Sequence, residues 1–229
     1  MLNNMKNRKY FSIVPALLIF IFAACEKDNR TPPESVLTGR VVYNKEPIGV
    51  RSGGVSFEIW QHGYQLFNKI ALNIAQDGTF SASLFDGDYK LVRAKGAGPW
   101  LDNTDSVDVH VNGATSVDIP VEPFFNVRNE LSVKSGTNIN TTFTVQNVNT
   151  SKTLESVRLF IGPNYILDQN NNAANAQKAA PIDISVPVTL SVAIPASLAA
   201  ENYIYARIGV KTTGINELIY SASQKVQLK

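Results

Sequence analysis

The residues of this 229-residue chain best suited to chemistry are Trp60, Gln61 and Tyr64, and then Trp100, Asp102 and Asn103. The chemistry they suit is sugar recognition. A sugar ring is apolar on one face and polar at its edge, so binding it requires an exposed aromatic face with amide or carboxylate groups beside it. Both tryptophans have a second reading, in which each covers the end of a small sandwich and buries about 150–250 Å². Catalytic constellations are sparse by comparison. His62 and His110 are the only histidines, and neither His-x-x-x-His nor Glu-x-x-His spacing occurs, which argues against a zinc or iron site built on histidine. Gly-x-Ser-x-Gly and phosphate-cradling glycine loops are missing. Glycoside hydrolysis needs two carboxylates about 5–10 Å apart, and no acidic pair stands out. Asp102, Asn103, Asp105 and Asp108 form an oxygen-rich cluster, but their spacing matches no calcium loop and such residues are ordinary in turns. The expectation is a protein that is not an enzyme and has no metal or cofactor, with a hydrolase as the minor alternative.

Cys25, the only cysteine, sits at the end of residues 11–24, an apolar and small-residue run preceded by Lys6, Arg8 and Lys9. Basic residues, a short apolar stretch and small residues at a boundary read as a secretory signal. With Phe22, Ala23 and Ala24 ahead of the cysteine, the segment resembles a bacterial lipoprotein signal, which makes Cys25 the lipidation site and residues 1–24 the signal peptide. A transmembrane anchor would need roughly 20 apolar residues, and residues 11–24 are fewer and contain Ser12 and Pro15. The acidic residues that follow, Glu26 and Asp28, resemble the signal that exports Bacteroidetes-type lipoproteins to the outer membrane, facing the cell exterior. Removal of three basic residues leaves eighteen Lys and Arg against nineteen Asp and Glu, a formal net charge of −1. No basic patch remains for nucleic acid. A single cysteine also means no intramolecular disulfide, so the exported chain depends on its core. Asp105, Ser106 and Val107 fit the pattern of O-glycosylation in Bacteroidetes, which makes Ser106 a candidate modification site.

These residues must be positioned by strands. Residues 25–35, with Pro32 and Pro33, form a polar tether. Short alternating runs follow at 36–43, 54–60, 71–74, 79–85, 89–95, 106–111 and 116–121, a spacing that predicts a sandwich or barrel. Alternation with Val55, Phe57 and Ile59 inward puts Ser56, Glu58 and Trp60 on the opposite face. Asp77–Gly78 and Asp86–Gly87 predict hairpin turns, with Phe80, Leu84, Tyr89, Leu91 and Val92 in the core. A second set of runs covers 125–133, 139–145, 156–161, 184–194, 203–210 and 218–228. Between 168 and 178 lies a coil rich in Asn and Ala, read as a solvated excursion joining two strands rather than a binding loop. Pro120 and Pro123 end one ladder before the next begins. The expected domains are therefore 36–122 and 123–229.

Val36 to Tyr43, the Gly78–Phe80 segment and the Gly87–Leu91 segment resemble a transthyretin-like or carboxypeptidase-regulatory sandwich. The second half is similar to a fibronectin type III or immunoglobulin-like sandwich, with Tyr203 at the place of the corner tyrosine. With Gly98, Pro99 and Trp100 and the junction from Val121 to Phe125, the chain resembles a two-domain Bacteroidetes lipoprotein family of unknown function. Members of that family are commonly encoded beside a TonB-dependent transporter and a surface glycan-binding lipoprotein. The resemblance implies a structural turn around Trp100, all-β folding as two consecutive antiparallel β-sandwich domains, and no transferable catalytic residue. It points to a membrane-anchored accessory component of glycan binding and uptake, with polysaccharide, transporter and surface lipoprotein as partners. A structural spacer or assembly module is the alternative.

Overall fold

The computed structural model describes residues 31–63 and 68–229; the signal segment, Cys25 and Tyr64 lie outside the described residues. The first half contains β1 (Ser35–Tyr43), β2 (Glu46–Pro47), β3 (Ser56–Gln61), β4 (Ile70–Asn73), β5 (Thr79–Leu84), β6 (Gly87–Val92), β7 (Ser106–Val111) and β8 (Ala114–Pro120). β8 runs parallel to β1 along Val36–Val42, so β5 and the short β2 share the other edge of β1. The second sheet is wholly antiparallel, in the order β4-β3-β6-β7. The two sheets face each other across Leu37, Phe57, Leu91, Val111 and Ile119, all buried. Gly39 is required where β1 is flanked on both sides: a Cβ there would lie 1.9 Å from the Val117 carbonyl and 2.4 Å from the Phe80 ring.

Two expectations are corrected here. The Asp-Gly turns exist, with Asp77 Oδ1 accepting from the Thr79 N–H (3.1 Å) and hydroxyl (2.7 Å), but neither closes a hairpin. β5 pairs with β1 while β4 and β6 pair with β3, so both turns carry the chain from one sheet to the other. Val92 is half-buried on the outer side of β6, and the inward series continues instead as Tyr89, Leu91 and Arg93. The Arg93 guanidinium donates to the Pro120 carbonyl at 2.7 Å.

The second half contains β9 (Phe125–Ser135), β10 (Asn138–Asn147), β11 (Leu154–Gly162), β12 (Ala174–Ala179), β13 (Val188–Ala193), β14 (Tyr203–Thr212), β15 (Ile219–Tyr220) and β16 (Gln224–Gln227). One sheet is β13-β10-β9; the other is β12-β11-β14, with β15 and β16 sharing the far edge of β14. The predicted Asn/Ala coil is in part an edge strand, since Ala174–Ala179 pairs antiparallel with β11. Its alternating side chains are small or polar, so it lacks the apolar signal that marks strands. Before it, Asp168 forms a tight turn by accepting from the N–H groups of Asn170 (2.7 Å) and Asn171 (3.0 Å). Tyr203 is not in a buried corner: the residue is 38 % exposed and its ring lies beneath the Lys225 ammonium, 3.6 Å from the ring centroid.

The halves do not hang as separate beads. A single apolar core runs from Leu37 and Phe57 through Val121, Phe124 and Phe125 to Phe143, Leu159 and Ile208. The polar part of the seam centres on Arg207 of β14, which is 2 % exposed. Its Nε donates to the Ser221 carbonyl (2.9 Å). One terminal nitrogen donates to Gln76 Oε1 (3.2 Å) and the Leu167 carbonyl (2.7 Å). The other donates to the carbonyls of Val50 (3.1 Å) and Gln76 (2.7 Å). All five N–H groups of the fork are thereby matched to oxygens of both halves, and the guanidinium stacks 4.4 Å from the Tyr220 ring centroid. Burial pulls the Arg207 pKa down to about 10 and pushes the Tyr220 phenol up to about 12, so at neutral pH the first is a cation and the second neutral. Arg51 and Glu217 add a bidentate ion pair (3.0 and 2.5 Å) beside them.

Candidate functional site

The outer face of β4-β3-β6-β7 gathers polar side chains around one tryptophan. Ser56, Glu58 and Trp60 point away from the core, as alternation requires, while Phe57 and Ile59 are fully buried. Strand register then sets two rows across the face. Trp60 lies opposite Lys90, which lies opposite Asp108; Glu58 lies opposite Val92, which lies opposite Ser106. The Trp60 indole N–H donates to Glu58 Oε2 at 3.1 Å, and the Lys69 ammonium donates to Glu58 Oε1 at 2.6 Å. Lys69 first, and the indole N–H after it, hold the Glu58 carboxyl below its usual range against an opposing effect of burial. Glu58 is thus a carboxylate acceptor throughout neutral and mildly acidic pH. Lys90 pairs with Asp108 at 2.5 Å and His110 with Asp88 at 2.7 Å.

An open hollow of about 820 Å³ is lined by Gln61, His62, Asp88, Lys90, Asp108 and His110 among others; Trp60 does not line it, and is linked to it through Lys90 and Asp108, the residues of its own cross-strand row. An aromatic ring next to carboxylate, imidazole, ammonium and amide groups can stack on the apolar face of a sugar and bond its hydroxyls. Trp60 is therefore brought together with Lys90 of β6 and Asp108 of β7, whereas Gln61 has the parity of Phe57 and Ile59, lies against Gly87 and lines the hollow from the other side of β3. Alternation along those strands marks Asp88, Lys90, Asp108 and His110 as outward, but only the register places them beside Trp60. Ser106 is exposed at the edge of the same face.

Trp100, Asp102 and Asn103 do not join this face, and Trp100 is no sugar platform. Its ring is 3 % exposed, packed edge-on against Phe57 at 6.1 Å between centroids, and its backbone forms a β-bridge with Pro123. Gly98 makes room for it, since a Cβ there would lie 2.3 Å from the indole. Asp102 Oδ1 accepts from the Gly96 N–H (2.7 Å) and Asn103 Oδ1 from the Asp105 N–H (2.8 Å), so both shape the loop. Asp108, the last member of the oxygen-rich cluster, faces Lys90 instead. Among the described residues no three His, Cys, Asp or Glu side chains are grouped to hold a metal ion.

Sequence reasoning passed over a second aromatic group. Tyr165 is 48 % exposed and meets Tyr205 edge to face at 5.6 Å; Tyr205 meets Tyr203 in the same way at 5.9 Å. The i, i+2 spacing of Tyr203 and Tyr205 on one strand was the available signal, whereas Tyr165 belongs to a loop.

No curated protein matches the chain. Residues 35–122 match the model described as the N-terminal domain of a protein of unknown function, DUF3823, and residues 125–225 match its C-terminal domain of unknown function. A DUF3823 family protein from Bacteroides ovatus is 39 % identical, with a TM-score of 0.80 over 86 % of this chain and 100 % of that one. One from Parabacteroides merdae is 32 % identical, with the same TM-score and coverage. A Bacteroides uniformis structure described as a "putative carbohydrate binding protein" shares the fold at 18 % identity and a TM-score of 0.71, again over 86 % and 100 % of the two chains. With both halves matched and solved relatives covered end to end, this chain belongs to the DUF3823 family.

Proposed function

We propose that this protein is a non-catalytic, lipid-anchored surface protein that binds polysaccharide through the outer face of β4-β3-β6-β7. The observation that carries this reading is Trp60, set outward beside Glu58 and in one row with Lys90 and Asp108, the last two of which also line the 820 Å³ hollow. The carbohydrate-binding description of the Bacteroides uniformis relative supports the same ligand class. A TonB-dependent transporter and a surface glycan-binding lipoprotein are the protein partners this role implies. A spacer or assembly role is favoured by a different observation, the continuous core that joins the two halves into one body.

Affinity electrophoresis of the soluble chain beginning after Cys25 tests the sugar reading. At least one polysaccharide in the gel is expected to retard the wild type, and Trp60→Ala is expected to weaken that retardation about tenfold, the larger part of one stacking contact, with little change in melting temperature. Equal retardation of variant and wild type would exclude Trp60; retardation by no glycan would leave the spacer role. The anchor has its own test in cell fractionation. Cys25→Ala is expected to move the full-length chain from membrane to soluble fractions, and a variant that stays with the membrane refutes lipidation.

A further inference from the structure

β14 is covered on its outer side at Arg207 by the first half of the chain, whose Val50 and Gln76 accept from the guanidinium. Tyr205 and Tyr203 are the next two residues on that side, and they emerge where the cover stops. At this margin lies a crevice of about 260 Å³, lined by Tyr165, Gln76, Asp77, Arg207, Ser221 and Ser223 among others. Both halves of the chain contribute to it.

We propose that this crevice is a second sugar-binding site, which takes one ring of an oligosaccharide against Tyr165. Three observations converge on it. Tyr165 is nearly half exposed at the mouth of the crevice, yet it is fixed: Gln76 Nε2 donates to its carbonyl at 3.0 Å, and Tyr205 meets its ring edge to face. A preset aromatic face binds with little loss of side-chain freedom. Ser223 also lines the crevice, and its hydroxyl oxygen, closed off from solvent, has no hydrogen-bond partner in the protein, although buried polar groups normally have one; a χ1 rotation toward the crevice would let a ligand hydroxyl supply it. Beyond the mouth, Lys225 holds its ammonium over Tyr203 and presents N–H donors to the next sugar along. An apolar face, an unpaired hydroxyl and a cation in this order match a sugar, which is apolar across its ring and polar around its rim. This site shares no residue with the Trp60 face.

The test uses the soluble chain from residue 26 onward in native gels containing xyloglucan, galactomannan, mixed-linkage β-glucan or soluble starch. In a Trp60→Ala background at least one gel is expected to retain residual retardation, which Tyr165→Ala weakens about tenfold and Tyr165→Phe preserves. Ser223→Val, which fills the floor of the crevice, is expected to act like Tyr165→Ala if the latter variant misfolds. Residual retardation unaffected by Tyr165→Ala and Ser223→Val overturns the proposal, as does a Trp60→Ala background that no gel retards. If Trp60→Ala is retarded like the wild type while Tyr165→Ala is not, the Trp60 reading fails and the crevice stands.

Discussion

Replacing Arg207 by Ala is expected to lower stability by on the order of 5 kcal/mol and to broaden or split the thermal transition. The magnitude follows from what the side chain leaves behind. Five oxygens drawn from Val50, Gln76, Leu167 and Ser221 lose their donors in a seam where the guanidinium was 2 % exposed, and an orphaned buried acceptor costs about 1–3 kcal/mol where water cannot reach it. Arg207→Met separates polarity from volume, because it refills most of the space and restores no donor. It should melt nearly as low as Arg207→Ala. Arg207→Lys, with three donors on a point charge instead of a planar fork, should fall between. Differential scanning calorimetry reads all three, and the seam is not held as described if Arg207→Met comes within about 1 kcal/mol of the wild type. Broadening or splitting is expected because the loss of the polar lock leaves only the apolar core to couple the halves, so each tends to unfold at its own temperature.

Trp100→Ala is expected to cost about 3–5 kcal/mol, the range for truncating a large buried aromatic, or on the order of 10 °C in a domain of this size. The indole fills the space between Phe57 and the strand-linking segment at Pro123, and Gly98 leaves no side chain to collapse into the gap. Polysaccharide retardation measured well below the new melting point should nonetheless equal that of the wild type. The contrast with Trp60→Ala, which should change binding and spare stability, makes the two tryptophans mutual controls. A Trp100→Ala protein that melts normally would mean the ring is not packed as described.

The outward position of Trp60 was legible from a single strand, because Val55, Phe57 and Ile59 fix the parity and leave Glu58 and Trp60 on the other side. Its neighbours Lys90 and Asp108 were legible as outward residues and no further, since register is a property of pairs of strands. The same limit explains the Asp-Gly turns. Local chemistry at Asp77 and Asp86 specifies a reversal of the chain but not which strands will pair, and in this sandwich the reversals lead into the opposite sheet. Arg207 was hidden for another reason. A charged residue between Ala206 and Ile208 reads as the solvent side of a half-buried strand, and on its own sheet that is where it points. What covers it comes from Val50 and Gln76, more than a hundred residues earlier, and no pattern within β14 carries that information. Tyr165, in a loop without period, gains its meaning only from Tyr205 and the crevice beside it.

Four of the five oxygens that hold Arg207 are main-chain carbonyls, and the fifth is the Gln76 amide. A main-chain oxygen is the same whatever residue carries it. Positions 50, 167 and 221 can therefore change identity over generations without loosening the lock, provided the backbone keeps its course, whereas positions 76 and 207 cannot. Halves taken from two diverged relatives should then still join when spliced, so long as one brings the glutamine and the other the arginine, and the seam would be a place where such proteins can exchange parts.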